Sequence, residues 1–210
     1  MREDDYSALC SLGLQVSRET YELLKAYQTQ FEIWNRKINL AAPSTIGSFW
    51  ERHVLDSAQI FFLANNSNGS WVDLGSGGGL PGMVIAILAK GSSGEVALVE
   101  SNTRKTGFLH SVNAAFGGPA RIVSQRIEDA VIHVKQPDFI TARALAPLDD
   151  LLSMAFPLFG EGTRAFFPKG RGYRREVEES RRNWTFNLIE HPSVIDDESV
   201  ILEISQPERR

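Results

Sequence analysis

Trp71-Val72-Asp73-Leu74-Gly75-Ser76-Gly77-Gly78-Gly79-Leu80-Pro81-Gly82 decides the fold of this 210-residue chain. The first four residues read as a short strand. Five glycines then fall within eight residues, and an apolar run begins at Met83. That run predicts a helix over Met83 to Lys90, with Pro81 suited to its first turn, where a missing N–H costs nothing. Strand, glycine turn and helix in this order open a βαβ unit. The glycines let the chain turn tightly and let a ligand approach bare backbone.

Two ligand chemistries compete for such a turn. A dinucleotide loop wants G-x-G-x-x-G. Counted from Gly75 the pattern fails at Leu80. Counted from Gly77 it gives Gly77, Gly79 and Gly82, which fits but sits late after the strand. An S-adenosylmethionine loop has the form acidic-x-G-x-G-x-G, and Asp73, Gly75, Gly77 and Gly79 fit it directly. That ligand carries a sulfonium, an amino-acid end and a ribose, with no phosphate to cradle. Asp73 is expected to organise the loop or receive the ammonium group. Glu100, at the end of a second predicted strand, is expected to accept the ribose hydroxyls, a device both cofactor classes use.

Outward from the loop, further strands are predicted at Val96–Val99, Arg121–Val123, Phe139–Ala142, Arg164–Phe167, Phe186–Ile189 and Val200–Ile204. Helical stretches separate the earlier ones, so the expected architecture is α/β: a mostly parallel seven-stranded sheet with helices on both faces. The last two strands, joined through His191 to Ser199, read as an antiparallel hairpin at one edge. Before Trp71 the pattern is helical. Tyr21, Leu24, Tyr27, Phe31 and Trp34 line one helix face, where Trp34 is more suited to core packing than to stacking on a base. A second helix is expected over Gly47 to Leu63. The turn-rich Asn65–Ser70 places a boundary there, with residues 1–68 a helical extension and 69–210 the Rossmann-like domain.

Composition narrows the classes. Hydrophobic residues are 42% and charged residues 23%, an ordinary globular balance. One cysteine, Cys10, excludes an internal disulfide and a cysteine-built metal site. The four histidines show no paired spacing, and no metal is expected. The start, Met1-Arg2-Glu3-Asp4-Asp5, is unlike a secretory signal, and the longest apolar stretch, Met83–Ala89, is seven residues against the about 20 of a membrane span. A cytoplasmic monomer is expected. The net charge is −4, yet Arg164 to Arg182 holds seven cations against three carboxylates. That stretch is either a solvated face or a local basic surface for nucleic acid.

Several blocks together resemble the ribosomal RNA small subunit methyltransferase G (RsmG/GidB) family, from about Trp34 to about Ile204. They are Trp34-Asn35-Arg36-Lys37-Ile38-Asn39-Leu40, Arg52-His53-Val54-Leu55-Asp56-Ser57, the loop through Leu80-Pro81-Gly82, Glu100 to Leu109, Arg126-Ile127-Glu128-Asp129, Thr141-Ala142-Arg143-Ala144 and Pro168-Lys169-Gly170. The resemblance implies a class I methyltransferase that transfers a methyl group from S-adenosylmethionine to N7 of guanine 527 of 16S ribosomal RNA. The substrate would be the RNA or a small ribosomal subunit precursor. Matched by motif, the family's cofactor contacts fall on Gly75, Leu80, Ile127, Glu128 and Arg143. Asp73, Gly77 and Glu100 join them as features of the class. Ala41, Glu100 and the Pro207-Glu208-Arg209-Arg210 tail depart from the family's usual residues.

Guanine N7 has an in-plane lone pair and no proton, so no general base is nominated. Arg143 and Lys169, at strand ends, are expected to position the target, and Lys169 to meet a phosphate. Arg36, Lys37, Arg52, Arg171, Arg174 and Arg175 are the other expected phosphate contacts. Three alternatives stand beside this reading: an S-adenosylmethionine-dependent methyltransferase for a small molecule or protein, a nicotinamide oxidoreductase, and a non-catalytic RNA-binding factor.

Overall fold

The alternation along Trp71–Leu74 sets the two faces of the sheet. In the computed structural model, which describes residues 3–13 and 16–210, these residues form β1 and all are buried. Met1 and Arg2 of the acidic start lie outside the described residues. Side chains alternate along a strand, so Trp71 joins one core and Val72 and Leu74 the other. A parallel sheet of this kind needs helices over both faces.

The strands β2 (Val96–Val99), β3 (Arg121–Val123), β4 (Phe139–Thr141) and β5 (Arg164–Lys169) complete the parallel part with β1. A hairpin of β6 (Trp184–Pro192) and β7 (Val200–Arg209) adds to β5 antiparallel. The order across the sheet is β3-β2-β1-β4-β5-β7-β6. The expected seven-stranded, mostly parallel sheet is therefore present. Its order reverses direction between β1 and β4, the crevice where open α/β sheets hold ligands.

In chain order the helices are α1 (Glu3–Ser11), α2 (Arg18–Asn35), α3 (Pro43–Ile46), α4 (Asp56–Ala64), α5 (Gly82–Leu88), α6 (Thr103–Ala115), α7 (Ile127–Ala130), α8 (Leu148–Ala155) and α9 (Tyr173–Ser180). Helices α1, α2, α4, α5 and α6 share one core with Trp71, Leu98, Phe139 and Phe166. Helices α8 and α9, with Ala130 of α7, fill the other face against Val72, Val99, Ile140 and Phe167.

Helix α2 starts where Ser17 accepts a hydrogen bond from the Thr20 amide. Its stripe of Tyr21, Leu24, Tyr27 and Phe31 is buried. Trp34 packs against Phe108 with ring centroids 5.6 Å apart, the core role expected of it. Phe31 packs against Phe49, Phe108 and Tyr27. A β-carbon at Gly78 would fall 2.5 Å from the Phe31 ring, so α2 presses directly on the glycine turn.

The structure differs from expectation in three places. The helix expected over 47–63 is present but begins as a π-helical turn at Trp50–Leu55 that runs directly into α4. The wider turn buries Trp50, His53, Val54 and Leu55 together, which hydrophobic spacing does not announce. Strand β5 runs on to Lys169. The hairpin strands also reach well beyond Phe186–Ile189 and Ile204, because the edge strand β6 and the end of β7 paired with it carry exposed residues that need no apolar pattern to pair.

Phe31→Ala should lower stability by about 3–5 kcal/mol, the usual cost of emptying a buried aromatic site. Urea unfolding measures it. A loss under about 1 kcal/mol would mean that α2 does not support the turn.

Candidate active site

Asp73 sits at the crevice with 1% exposure. In the register, Thr141 of β4 lies beside it. The Thr141 hydroxyl donates to Oδ1 at 2.9 Å, and the Gly82 amide donates to Oδ2 at 3.2 Å. One carboxylate thus ties β1 to β4 and to the start of α5. Burial pushes its pKa up to about 6, against the pull of those hydrogen bonds and of Arg143. Of the two roles expected for Asp73, organising the loop is the one its hydrogen bonds fill.

Most of the remaining loop amides are answered from inside. Ser76 N–H donates to the Val99 carbonyl, and Gly79 and Leu80 N–H donate to the Ser76 carbonyl. Gly77 N–H donates to Glu100 Oε2 at 2.9 Å, while Glu100 Oε1 accepts from the Asn102 amide at 2.7 Å. Tyr27, buried in α2, donates its hydroxyl to the Gly78 carbonyl. A phosphate-cradling turn aims such N–H groups at its ligand. This one pairs most of them internally and adds two carboxylates.

Gly77 has open space on its outer side. Its φ is +58°, and a β-carbon there would meet only the Gly75 carbonyl, at 3.8 Å. It opens onto a cleft of about 390 Å³ lined by residues that include Leu40, Thr45, Arg52, Gly75, Leu80 and Lys105. A second cleft, of about 490 Å³, adjoins it. Asp56, Arg143 and Ala144 line both.

Arg143 forms the wall between the clefts. Nη1 donates to Asp56 Oδ2 at 3.1 Å and to the Arg52 carbonyl at 3.4 Å, and Nη2 donates to His53 Nδ1 at 3.2 Å. A guanidinium only donates, so Nδ1 of His53 is the unprotonated nitrogen. The proton is then on Nε2, which donates to the Thr45 hydroxyl at 2.9 Å. Burial and the neighbouring Arg143 and Arg52 lower the His53 pKa to about 4. Burial raises that of Asp56, against Arg143. Ala144, next in the chain, holds φ +51°.

The expected site residues divide. Gly75, Gly77, Leu80, Arg52 and Arg143 line the glycine cleft. Asp73 and Glu100 stand behind it as loop anchors. Ile127 and Glu128 open α7 beyond β3 and do not line the cleft. Arg36 and Lys37 lie exposed just past α2. Lys169 lines the second cleft, where its ammonium group donates to the Ala146 carbonyl at 2.8 Å and to Glu176 at 2.7 Å. The longer β5 carries Lys169 inward to that pair. Arg171 pairs with Glu198. Arg175 pairs with Glu179, and Arg174 donates to the Tyr173 hydroxyl. The pairs of Arg171 and Arg175 lie on exposed side chains, and Arg174 meets a neutral hydroxyl.

Sequence reasoning missed Tyr27, Asn35, Thr45, Lys105 and Thr141 as parts of the site. Asn35 accepts from the Leu40 and Ala41 amides at 2.8 and 3.0 Å, folding the loop that covers the cleft. Asn35, Lys105 and Thr141 lay inside the recognised blocks, and that was their signal.

A family model described as GidB, rRNA small subunit methyltransferase G, matches residues 20–201. The chain belongs to this family. A relative from Chelativorans sp. (strain BNC1), called Ribosomal RNA small subunit methyltransferase G, is 49% identical over 210 residues, with both chains fully covered. One of the same name from Brucella canis is 47% identical over 206 residues, covering 98% of this chain and 96% of that one. Among solved structures, the O-methyltransferase from Bacillus cereus in complex with SAH is similar at TM-score 0.61 and 10% identity, over 96% of each chain. The glycopeptide N-methyltransferase MtfA complexed with sinefungin gives 0.60 at 10% identity, over 74% of this chain and 94% of that one. These distant likenesses establish the fold, that of a class I methyltransferase.

Within this member of the rRNA small subunit methyltransferase G family, His53 should stay neutral with its proton on Nε2 down to about pH 4. Nitrogen-15 NMR of the imidazole reads both properties, and titration near 6.5 would contradict the clamp. A histidine held below its unfolded value of 6.5 favours folding above that pH, and this share is lost as pH falls from 6.5 to about 4. Asp73, raised from 3.8 to about 6, acts oppositely: its share is present at low pH and lost as pH rises from 3.8 to about 6. His53→Asn should therefore shift the acid side of the stability profile upward relative to the parent chain.

Proposed function

We propose that this chain transfers the methyl group of S-adenosylmethionine to N7 of guanine 527 in 16S ribosomal RNA, as a cytoplasmic monomer acting on the RNA or on a small-subunit precursor. Family membership supports the reaction. No described helix is long and apolar enough to cross a membrane.

The observation that carries the cofactor reading is the turn itself. Most of its amides are bonded inward and two carboxylates back it, while Gly77 has open space beside it in the cleft. A pyrophosphate would find few free donors and two repulsive charges. A sulfonium nucleoside meets neither obstacle. Each Glu100 oxygen keeps a second lone pair for a ribose hydroxyl, and the open space beside Gly77 leaves room for the ribose and amino-acid end.

The bound donor supplies an electrophilic methyl group. The protein's task is to align N7 with it. Alignment of this kind can lower a barrier by roughly 7–11 kcal/mol. No base is needed, and the one imidazole in the cleft offers none: the His53 lone pair is held by Arg143. Two clefts meeting at Arg143 suit a reaction with two substrates. Arg143, fixed by Asp56 and His53, is the residue we assign to positioning at their junction. Arg36, Lys37 and Arg52 are the proposed phosphate contacts.

The test is incubation with labelled S-adenosylmethionine and unmodified 16S RNA or small subunits, followed by mapping of the labelled base. Label on N7 of a single guanine is expected. Label on protein or a small molecule, or none, would overturn the reading. Gly77→Leu should abolish binding of S-adenosylhomocysteine in calorimetry while the fold survives, because its side chain enters the cleft. Unchanged affinity would show that the donor lies elsewhere.

A further inference from the structure

The cations that line the glycine cleft are Arg52, Lys105 and Arg143, beside the Asp56 carboxylate and the neutral His53, with Asp73 and Glu100 behind the turn. Each of these carboxylates already accepts hydrogen bonds from the protein. The cations are not all matched in this way.

The three cations differ. Arg143 is committed to Asp56, His53 and the Arg52 carbonyl. The side chains of Arg52 and Lys105 have no hydrogen-bond or ion-pair partner among the described residues. Arg52 is exposed, whereas Lys105 is half-buried. The backbone at Lys105 is fixed: Asn102 caps α6 by accepting from the Arg104 and Lys105 amides, and Thr106, Phe108 and Leu109 anchor the helix in the core. Lys105 lines the cleft together with Gly77 and Gly78, and its ammonium group has no partner among the described residues.

We propose that Lys105 is a positioning residue that holds a phosphodiester of the substrate RNA at the mouth of the glycine cleft, with Arg52 as the second cation. The inference rests on the RNA-methylation reading above. An anion at this point pairs with the Lys105 ammonium group and sets the strand's register over the cleft. The donor's own carboxylate is the other anion that could reach Lys105, and the experiment separates the two.

Lys105→Ala and Lys105→Arg are compared with the parent enzyme in methylation of 16S RNA, in RNA binding across salt concentrations, and in S-adenosylhomocysteine calorimetry. For Lys105→Ala, KM for RNA should rise about tenfold, more than kcat falls. The slope of log affinity against log salt should become shallower by about 0.7, one phosphate contact on a single strand. S-adenosylhomocysteine affinity should not change, and Lys105→Arg should restore KM. An RNA carrying one neutral methylphosphonate beside the target should erase the difference between parent and Lys105→Ala. Loss of S-adenosylhomocysteine affinity with RNA binding intact would assign Lys105 to the donor's carboxylate and overturn the proposal. An unchanged KM and salt slope would also overturn it. A parent enzyme that binds RNA but transfers no methyl would count against the function instead, and the salt slopes would still decide the role of Lys105.

Discussion

A buried carboxylate at a sheet crevice is the constraint on which this molecule depends. Asp73 has almost no solvent, and three elements converge on it: β1 carries it, Thr141 of β4 donates to one oxygen, and the first amide of α5 donates to the other. Burying a charge is costly unless its lone pairs are used. Using them fixes the direction in which the chain leaves β1, and so fixes the glycine turn. Its raised pKa reflects burial outweighing those bonds.

The turn is then braced from both sides. Glu100 reaches across from β2 to the Gly77 amide, and Tyr27 and Phe31 of α2 press on Gly78. The helices before the sheet therefore do more than cover a face. They shape the ligand loop, and the loop after α2 closes over it through Asn35. The π-helical turn at Trp50–Leu55 places His53 so that, with Asp56 at the start of α4, it can hold Arg143. Arg143 belongs to the loop after β4, so the clamp joins the amino-terminal helices to the sheet where the two clefts meet.

Much of this was legible in the residues. The register Asp73-x-Gly75-x-Gly77 separated the two cofactor chemistries, and the structure supplies the reason: the loop amides are turned inward. The alternation of short apolar strands with helices was enough for the sheet and its hairpin edge. What stayed hidden was whatever depends on a partner distant in sequence. Lys169 read as a free cation because nothing in Pro168-Lys169-Gly170 announces Glu176 and the Ala146 carbonyl. The hairpin strands were under-read because exposed edge residues carry no periodic signal.

Binding selectivity tests the central claim, that the turn is built for a sulfonium nucleoside and not for a pyrophosphate. Calorimetry of the unmodified protein with S-adenosylmethionine, and separately with NAD and NADP, reads it directly. Saturable one-to-one binding of the first and no heat from the other two is the predicted result. Binding of either dinucleotide as tightly as S-adenosylmethionine would contradict the account.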